Sequence, residues 1–195
     1  MANKFSRAFS LHGITAMSTQ RLIKDIQAGR LTMTLTENGH RLDELIAFAS
    51  RLNPLRGYLF VSRVLGKHIP VRPSDMDSIH AELAEAINLI GDSAYVVGMA
   101  ETAVGLGAGT ARHLGRLHQY SVYQHTTRFL VTNPWIRIQE AHSHADTMHM
   151  AHLQGDAALN AQKTADLVLV DDEVSTGRTL AQLANALLAQ PELSG

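Results

Sequence analysis

The sequence predicts an α/β fold built on an open, mainly parallel, Rossmann-like sheet. Three observations carry that expectation. AYVVG at 94–98 and DLVLV at 166–170 are short and almost wholly apolar, as strands buried on both faces must be. Each gives way to a turn bearing Gly and Thr, and then to a helical pattern. Helix-period and strand-period segments alternate along the chain, which is how an open α/β sheet is wound.

The totals set the outer bounds. The chain has 195 residues, 45% of them hydrophobic and 18% charged, which suits one domain with a real core. A formal net charge of -1 argues against a nucleic-acid partner. Cysteine is absent, which excludes disulfides and thiolate metal sites and fits a reducing cytoplasm. No apolar run approaches the ~20 residues needed to span a bilayer. The opening MANKFSRAFSLHG lacks the apolar region of a signal peptide. A cytoplasmic protein with no membrane contact is the expectation.

The elements follow in order. Residues up to 20 read as irregular. RLTMTLTENG at 30–39 alternates, with Leu31, Met33 and Leu35 on one side and Thr32, Thr34 and Thr36 on the other. That predicts a half-buried strand ending in an Asn-Gly turn. Leu42, Leu45, Ile46 and Ala49 fall on one helical face, and Asn53-Pro54 closes that helix. GYLFVSRVLG at 57–66 reads as a strand or an extended segment. Ser74 can cap a further helix, with Asp77 supporting its first turn. Met76, Ile79, Leu83, Ile87 and Ile90 form its apolar stripe, and Gly91 ends it. After the strand at 94–98 comes a Gly-rich turn and a helix through Leu114. YSVYQHTTRF at 120–129 is a strand candidate. A polar, His-rich stretch fills 130–160. After the strand at 166–170, Leu180, Leu183, Ala184, Leu187 and Leu188 mark a last amphipathic helix.

In open α/β sheets ligands bind beyond the C-terminal ends of the strands. DDEVSTGRT at 171–179 occupies such a place. Asp171 and Asp172 can accept hydrogen bonds from vicinal hydroxyls or approach a metal carried by the ligand. Ser175, Thr176, Gly177, Arg178 and Thr179 lead into a helix whose free N–H groups and dipole attract phosphate. Gly177 permits a tight backbone, and the hydroxyls add donors. Acceptors for sugar hydroxyls followed by donors for a phosphate match the two ends of a ribose 5-phosphate. Gly105, Gly107 and Gly109 have the wrong spacing for a dinucleotide-binding fingerprint and come too late after the strand; close helix packing is their bland explanation. His142, His144, His149 and His152 match no standard metal-ligand spacing.

VLVDDEVSTGRT at 168–179 resembles the phosphoribosyl diphosphate (PRPP) motif of type I phosphoribosyltransferases. LFVSRVLGKHIPV, VVGMAETAVGLG, EAHSHAD and VLVDDEVSTGRT, in that order, more narrowly resemble the phosphoribosyltransferase-like proteins of bacterial tellurium-resistance and stress-response gene neighbourhoods. The likeness runs from residue 31 to 189. It implies a single domain over 1–195, with an N-terminal extension and hood to about residue 75 and a PRPP-binding core from about 76, its C-terminal edge cut short at 195. Either the chain is a fragment, or a C-terminal domain or partner completes the sheet. A homodimer is compatible with the family.

The resemblance also implies roles. Asp171 and Asp172 would contact the ribose hydroxyls and Ser175 to Thr179 the 5′-phosphate. Ala100, Glu101 and Thr102 would form a pyrophosphate-binding turn, with Arg128 beside it. Arg137 would meet the charge developing on the leaving group, making Asp171, Asp172 and Arg137 the catalytic set. Magnesium would arrive with PRPP, near Glu101, Asp171 and Asp172; no tightly bound organic cofactor is implied. His142, His144, Arg63 and Lys67 would contact the acceptor from the loop or the hood. Residues 130–160 fill the slot of the family's mobile, closing loop. Two positions depart from the pattern. Glu173 stands where the family carries an aliphatic residue, and no lysine occurs between Tyr120 and Gln162, although orotate-type enzymes use a loop lysine. Ser175 stands where hypoxanthine-guanine enzymes carry an aspartate, which is closer to the orotate and adenine types.

The expected activity is therefore transfer of a ribose 5-phosphate group from PRPP to a base or similar nucleophile, with release of pyrophosphate, in the synthesis of a nucleotide-like metabolite. A non-catalytic PRPP or nucleotide sensor is the alternative, and a His-dependent metal hydrolase a lesser one.

Overall fold

A computed structural model describes residues 19–36, 42–52, 57–139, 147–163 and 166–193. The chain divides into two compact units, with the division between Met76 and Asp77.

The first unit holds two antiparallel hairpins. β1 (Thr19–Ile26) pairs with β2 (Gly29–Thr36), Ile26 opposite Gly29. The alternation expected of β2 is present: Leu31, Met33 and Leu35 are half-buried while Thr32 and Thr34 are exposed. β1 has no counterpart in the sequence reading. Its RLIKDI segment turns Ile23 outward and Lys24 inward, so hydrophobicity does not alternate along it; pairing with β2 makes the strand. Ion pairs join Lys24 to Asp43 at 2.7 Å and Arg30 to Asp25 at 2.8 Å.

The helix expected over 42–53 is corrected to one turn, α1 (Leu42–Leu45), followed by β3 (Ile46–Ser50). β3 pairs antiparallel with β4 (Tyr58–Ser62). Phe48 sits opposite Phe60, their rings 5.7 Å apart and edge-to-face. A five-residue ladder with an aromatic cross-strand pair outweighs the helical spacing of Leu42, Leu45, Ile46 and Ala49.

The second unit is α/β. Its centre is a three-stranded parallel sheet in the order β6 (Tyr120–His125), β5 (Ser93–Gly98), β9 (Asp166–Val170). Every residue of β5 is buried, as its apolar run predicts. α2 (Pro73–Ala86) and α3 (Ala103–Leu117) supply Ala84, Ala111 and Leu114, which pack with Ala94 and Val96. β7 (Ile136–Gln139) and β8 (Thr147–Met150) form an antiparallel hairpin. α4 (Gly155–Lys163) and α5 (Arg178–Leu188) follow in turn, with β9 between them, and Pro191–Leu193 make a short 3-10 turn. Leu183 and Leu187 of α5 are fully buried, each contributing about 1.5–3 kcal/mol of transfer free energy. Among the described residues, no helix is long and apolar enough to cross a membrane.

Two expectations are revised in this unit. α2 stops at Ala86, so Ile87 and Ile90 lie outside it, and Ile90 is 79% exposed. Asp166, at the start of β9, accepts the Ile90 and Gly91 N–H groups at 3.0 and 2.8 Å and holds that segment in a turn. The buried face of α2 carries His80 and Ala84 rather than Ile79 and Leu83. The stretch 130–160 is no open loop: within its described part it contains the hairpin and the start of α4. Ile136, Ile138, Met148 and Met150 are buried, so its ordering rests on core packing that a polar, His-rich composition conceals.

The glycines of α3 explain how closely it packs. A Cβ on Gly107 would lie 2.9 Å from the Gly98 Cα and 3.1 Å from the Tyr123 ring. A Cβ on Gly98 would lie 2.6 Å from the Ala103 carbonyl oxygen. Helix and strand thus meet backbone to backbone. The Tyr123 hydroxyl covers the contact and donates to the Val104 carbonyl at 2.6 Å. Burial pushes its pKa up to about 12, so it stays a donor. A Cβ on Gly109 would overlap the His80 ring, so that glycine admits the imidazole.

Gly107→Ala is expected to cost about 1–3 kcal/mol in urea unfolding, because the backbone of β5 cannot yield as a side chain would. His80 provides a pH test. Burial lowers its pKa, and repulsion from Arg112 and His113 adds to that against the opposing pull of Asp77. Above pH 6.5 both folded and unfolded chains keep this imidazole neutral; below it the unfolded chain takes the proton first. Stability is therefore expected to fall as pH drops from 6.5, and His80→Leu should flatten that fall in urea unfolding measured at several pH values.

Candidate functional site

The sheet register builds the site. Gly98 ends β5 opposite Val170, which ends β9, and opposite His125, which ends β6. The Met99 N–H donates to the Val170 carbonyl at 2.9 Å, and the Thr126 N–H to the Gly98 carbonyl at 3.0 Å. Neighbouring strands lie about 4.8 Å apart, so three connecting segments start side by side along one edge.

The segment after β5 is a tight turn. The Ala100 N–H donates to the hydroxyl of Thr126 at 2.8 Å, and the Ala103 N–H to the Met99 carbonyl at 3.1 Å. The Ala100–Glu101 peptide bond is cis. Glu101 is exposed and Thr102 half-buried. Thr102 precedes α3 without capping it through its side chain, leaving the first N–H groups of the helix without that partner.

The segment after β9 begins with the two acids. Asp171 is half-buried and its Oδ1 accepts the Asp172 N–H at 3.0 Å; Asp172 and Glu173 are exposed. Ser175 and Thr176 are also exposed. The Arg178 N–H lies 3.4 Å from the Thr176 hydroxyl. Gly177 caps α5 in the left-handed conformation, φ 71°, and its carbonyl accepts the Ala181 N–H at 2.9 Å. Arg178 is exposed and Thr179 half-buried in the first turn. Two helix N-termini thus open on the same edge, each with partial positive charge, and acidic side chains stand beside one of them. Such an edge can bind a ligand with hydroxyls in its middle and phosphates at both ends.

The segment after β6 carries Arg128, half-buried, two residues beyond the fully buried Thr126. Thr126 is a site residue that sequence reasoning missed: its hydroxyl holds the Ala100 turn, and its only signal was a β-branched residue at a strand end. Arg137 is exposed on β7. Asp171, Asp172, Ser175 to Thr179, Ala100 to Thr102 and Arg128 therefore share one edge. Arg63 and Lys67 belong to the first unit, where both are exposed on the segment after β4. His142 and His144 lie outside the described residues. Among the described residues, no three His, Asp or Glu side chains gather as a metal-binding set. The carboxylates at the edge are nevertheless hard oxygen donors, which fit magnesium shared with a phosphate ligand.

A family model described as phosphoribosyl transferase matches residues 45–192. The crystal structure of adenine phosphoribosyltransferase from Leishmania tarentolae is similar over 83% of this chain and 72% of that one, at 19% identity and a TM-score of 0.45. No curated protein matches the chain.

A Cβ on Gly177 would meet nothing within 4 Å, so a substitution there isolates the backbone conformation. Gly177→Ala is expected to lose about 1–2 kcal/mol in urea unfolding through the left-handed φ alone.

Proposed function

The chain belongs to the phosphoribosyl transferase family, and from that premise we propose that it joins a base or similar nitrogenous nucleophile to ribose 5-phosphate, drawing on PRPP and releasing pyrophosphate. The observation that carries the proposal is the parallel β5–β9 pairing, which sets the acidic pair and the α5 N-terminus beside the turn that opens α3. Asp171 and Asp172 accept hydrogen bonds from the two ribose hydroxyls. Ser175 to Thr179 wrap the 5′-phosphate, with the α5 N–H groups, the hydroxyls and the Arg178 charge as donors. Ala100 to Thr102 and the α3 N-terminus receive the pyrophosphate, with Arg128 alongside. Magnesium, bound together with PRPP near Glu101, Asp171 and Asp172, would neutralise charge on the pyrophosphate oxygens.

Catalysis then comes from positioning and from electrostatic stabilisation of the departing pyrophosphate, because the acidic pair is committed to the sugar and no base stands in the motif. Arg137 supplies charge to the leaving group from the hairpin. The acceptor attacks C1 on the side away from the pyrophosphate, and Arg63, Lys67, His142 and His144 are proposed to contact it. The product would be a nucleotide-like metabolite made in the cytoplasm in response to stress, including tellurium exposure. A PRPP-sensing regulator is the second reading. It is favoured by Glu173 in an apolar position of the motif and by the lack of lysine between Tyr120 and Gln162.

Isothermal titration with PRPP and magnesium tests the site. Replacing both acids, Asp171→Asn with Asp172→Asn, is expected to weaken binding ~100-fold or more, since each charge-assisted hydrogen bond contributes about 1.5–3 kcal/mol. If the wild-type protein binds neither PRPP nor ribose 5-phosphate, both readings fail. Pyrophosphate release over a panel of bases then separates the transferase from the sensor.

A further inference from the structure

His125 ends β6, paired in parallel register with Gly98, the last residue of β5. The face of the sheet that it shares is fixed by two contacts. A Cβ on Gly98 would lie 2.6 Å from the Ala103 carbonyl oxygen, and the Tyr123 hydroxyl donates to the Val104 carbonyl at 2.6 Å. Residues two apart in a strand point to one face, so His125 follows Tyr123. Their rings stand 6.2 Å apart, tilted by 33°. The imidazole is therefore one strand spacing, about 4.8 Å, from the column in which Gly98 meets the first residues of α3. Thr126, the next residue, points to the other face, where its hydroxyl meets the Met148 sulfur.

The ring is oriented as well as placed. Its Nδ1 lies 2.8 Å from the Thr126 carbonyl oxygen. A carbonyl can only accept, so Nδ1 carries the hydrogen. That leaves Nε2 on the free side of an exposed residue. On a neutral ring Nε2 is an acceptor, which suits no phosphate oxygen; on an imidazolium it is a charge-assisted donor. Imidazole makes that change within the range of pH 5 to 8. Ionisable groups on the elements packed around it are Tyr123 beneath the ring, Glu101 in the turn before α3 and Arg128 three residues on. Beyond them come His149, opposite Thr127, and Arg137, opposite His149. The first two turns of α3, Ala103 to Gly109, contribute none. Burial keeps the proton on Tyr123.

We propose that His125 is a pyrophosphate-binding residue: its Nε2 takes up a proton from solvent as the anion arrives at the start of α3, and then donates that N–H to a phosphate oxygen. The bound anion stabilises the added positive charge, and the proton returns to solvent when pyrophosphate leaves. The proposal rests on the reading that this edge binds PRPP, and it adds a pH-dependent contact to that site.

The test is calorimetric titration of the protein with inorganic pyrophosphate and magnesium between pH 6 and pH 8. Wild type, His125→Gln and His125→Lys are compared, with urea unfolding of each. Titration of pyrophosphate itself is common to all three, so any difference between their pH profiles belongs to residue 125. At pH 6 wild type is expected to bind ~10-fold more tightly than His125→Gln, whose neutral amide replaces a charged donor. At pH 8 that advantage should shrink to ~2-fold. His125→Lys, charged throughout this range, should keep its advantage over His125→Gln at pH 8. Titrations in two buffers of different ionisation enthalpy at pH 7 should show wild type taking up ~0.5–1 more proton per pyrophosphate than His125→Gln. Urea midpoints should match, since the residue is exposed. Parallel pH profiles with equal proton uptake overturn the proposal, as does a loss of affinity that only tracks lost stability. If wild type binds neither pyrophosphate nor PRPP, the functional reading fails and this role falls with it. Pyrophosphate binding with parallel profiles removes the role of His125 alone.

Discussion

The contact between Gly107 of α3 and Gly98 of β5 governs the geometry of the second unit. Side chains on either residue would force helix and strand apart. With none present, the backbones touch and the first turn of α3 rises directly from the end of β5. The position of that helix end, and of the Ala100 turn before it, is then set by two rigid elements rather than by the loop between them. Tyr123 seals the contact from β6 with a ring against Gly107 and a hydrogen bond to the first turn of the helix. One close approach thus ties β5, α3 and β6 into a single block. An edge that offers fixed donors to an anion, as proposed here, depends on such rigidity.

The parallel register extends this block to β9. Loops about seventy residues apart in sequence start from neighbouring strand ends, because Gly98 and Val170 are paired and the next N–H, that of Met99, bonds to Val170. The edge therefore combines two kinds of electrostatic surface. Helix N-termini and hydroxyls present donors at the outside, and Asp171 and Asp172 present acceptors between them. Neither half would select a sugar phosphate alone. A helix N-terminus accepts any anion, and a pair of carboxylates repels most of them. Their order along the edge is what the proposed binding of a ligand that alternates phosphate, hydroxyls and phosphate would use.

Much of this was legible in the sequence. The runs AYVVG and DLVLV announced central parallel strands because burial on both faces removes every polar residue. The string from Asp171 to Thr179 announced a polar turn and a helix start because strand, acids, Gly and hydroxyls came in a meaningful order. Elsewhere local pattern misled. Leu42, Leu45, Ile46 and Ala49 have helical spacing, yet Phe48 finds Phe60 across a ladder and the segment is a strand. Ile87 and Ile90 continue the spacing of α2, yet Asp166 ends the turn there from far along the chain. The His-rich stretch looked like solvated loop, because the four buried apolar residues among those described, Ile136, Ile138, Met148 and Met150, are too few to dominate about thirty positions.

The sequence by itself determined the fold class, the turn that opens α5 and the family resemblance, since each depends on residues close together in the chain. Tertiary structure alone decided that Thr126 supports the Ala100 turn, that Gly107 and Gly109 are spaces for Gly98 and His80, and that His149 stands opposite Arg137. Those relations are set by strand register and helix approach. Both are long-range quantities, fixed by which backbones meet and not by the spacing of residues within any one segment.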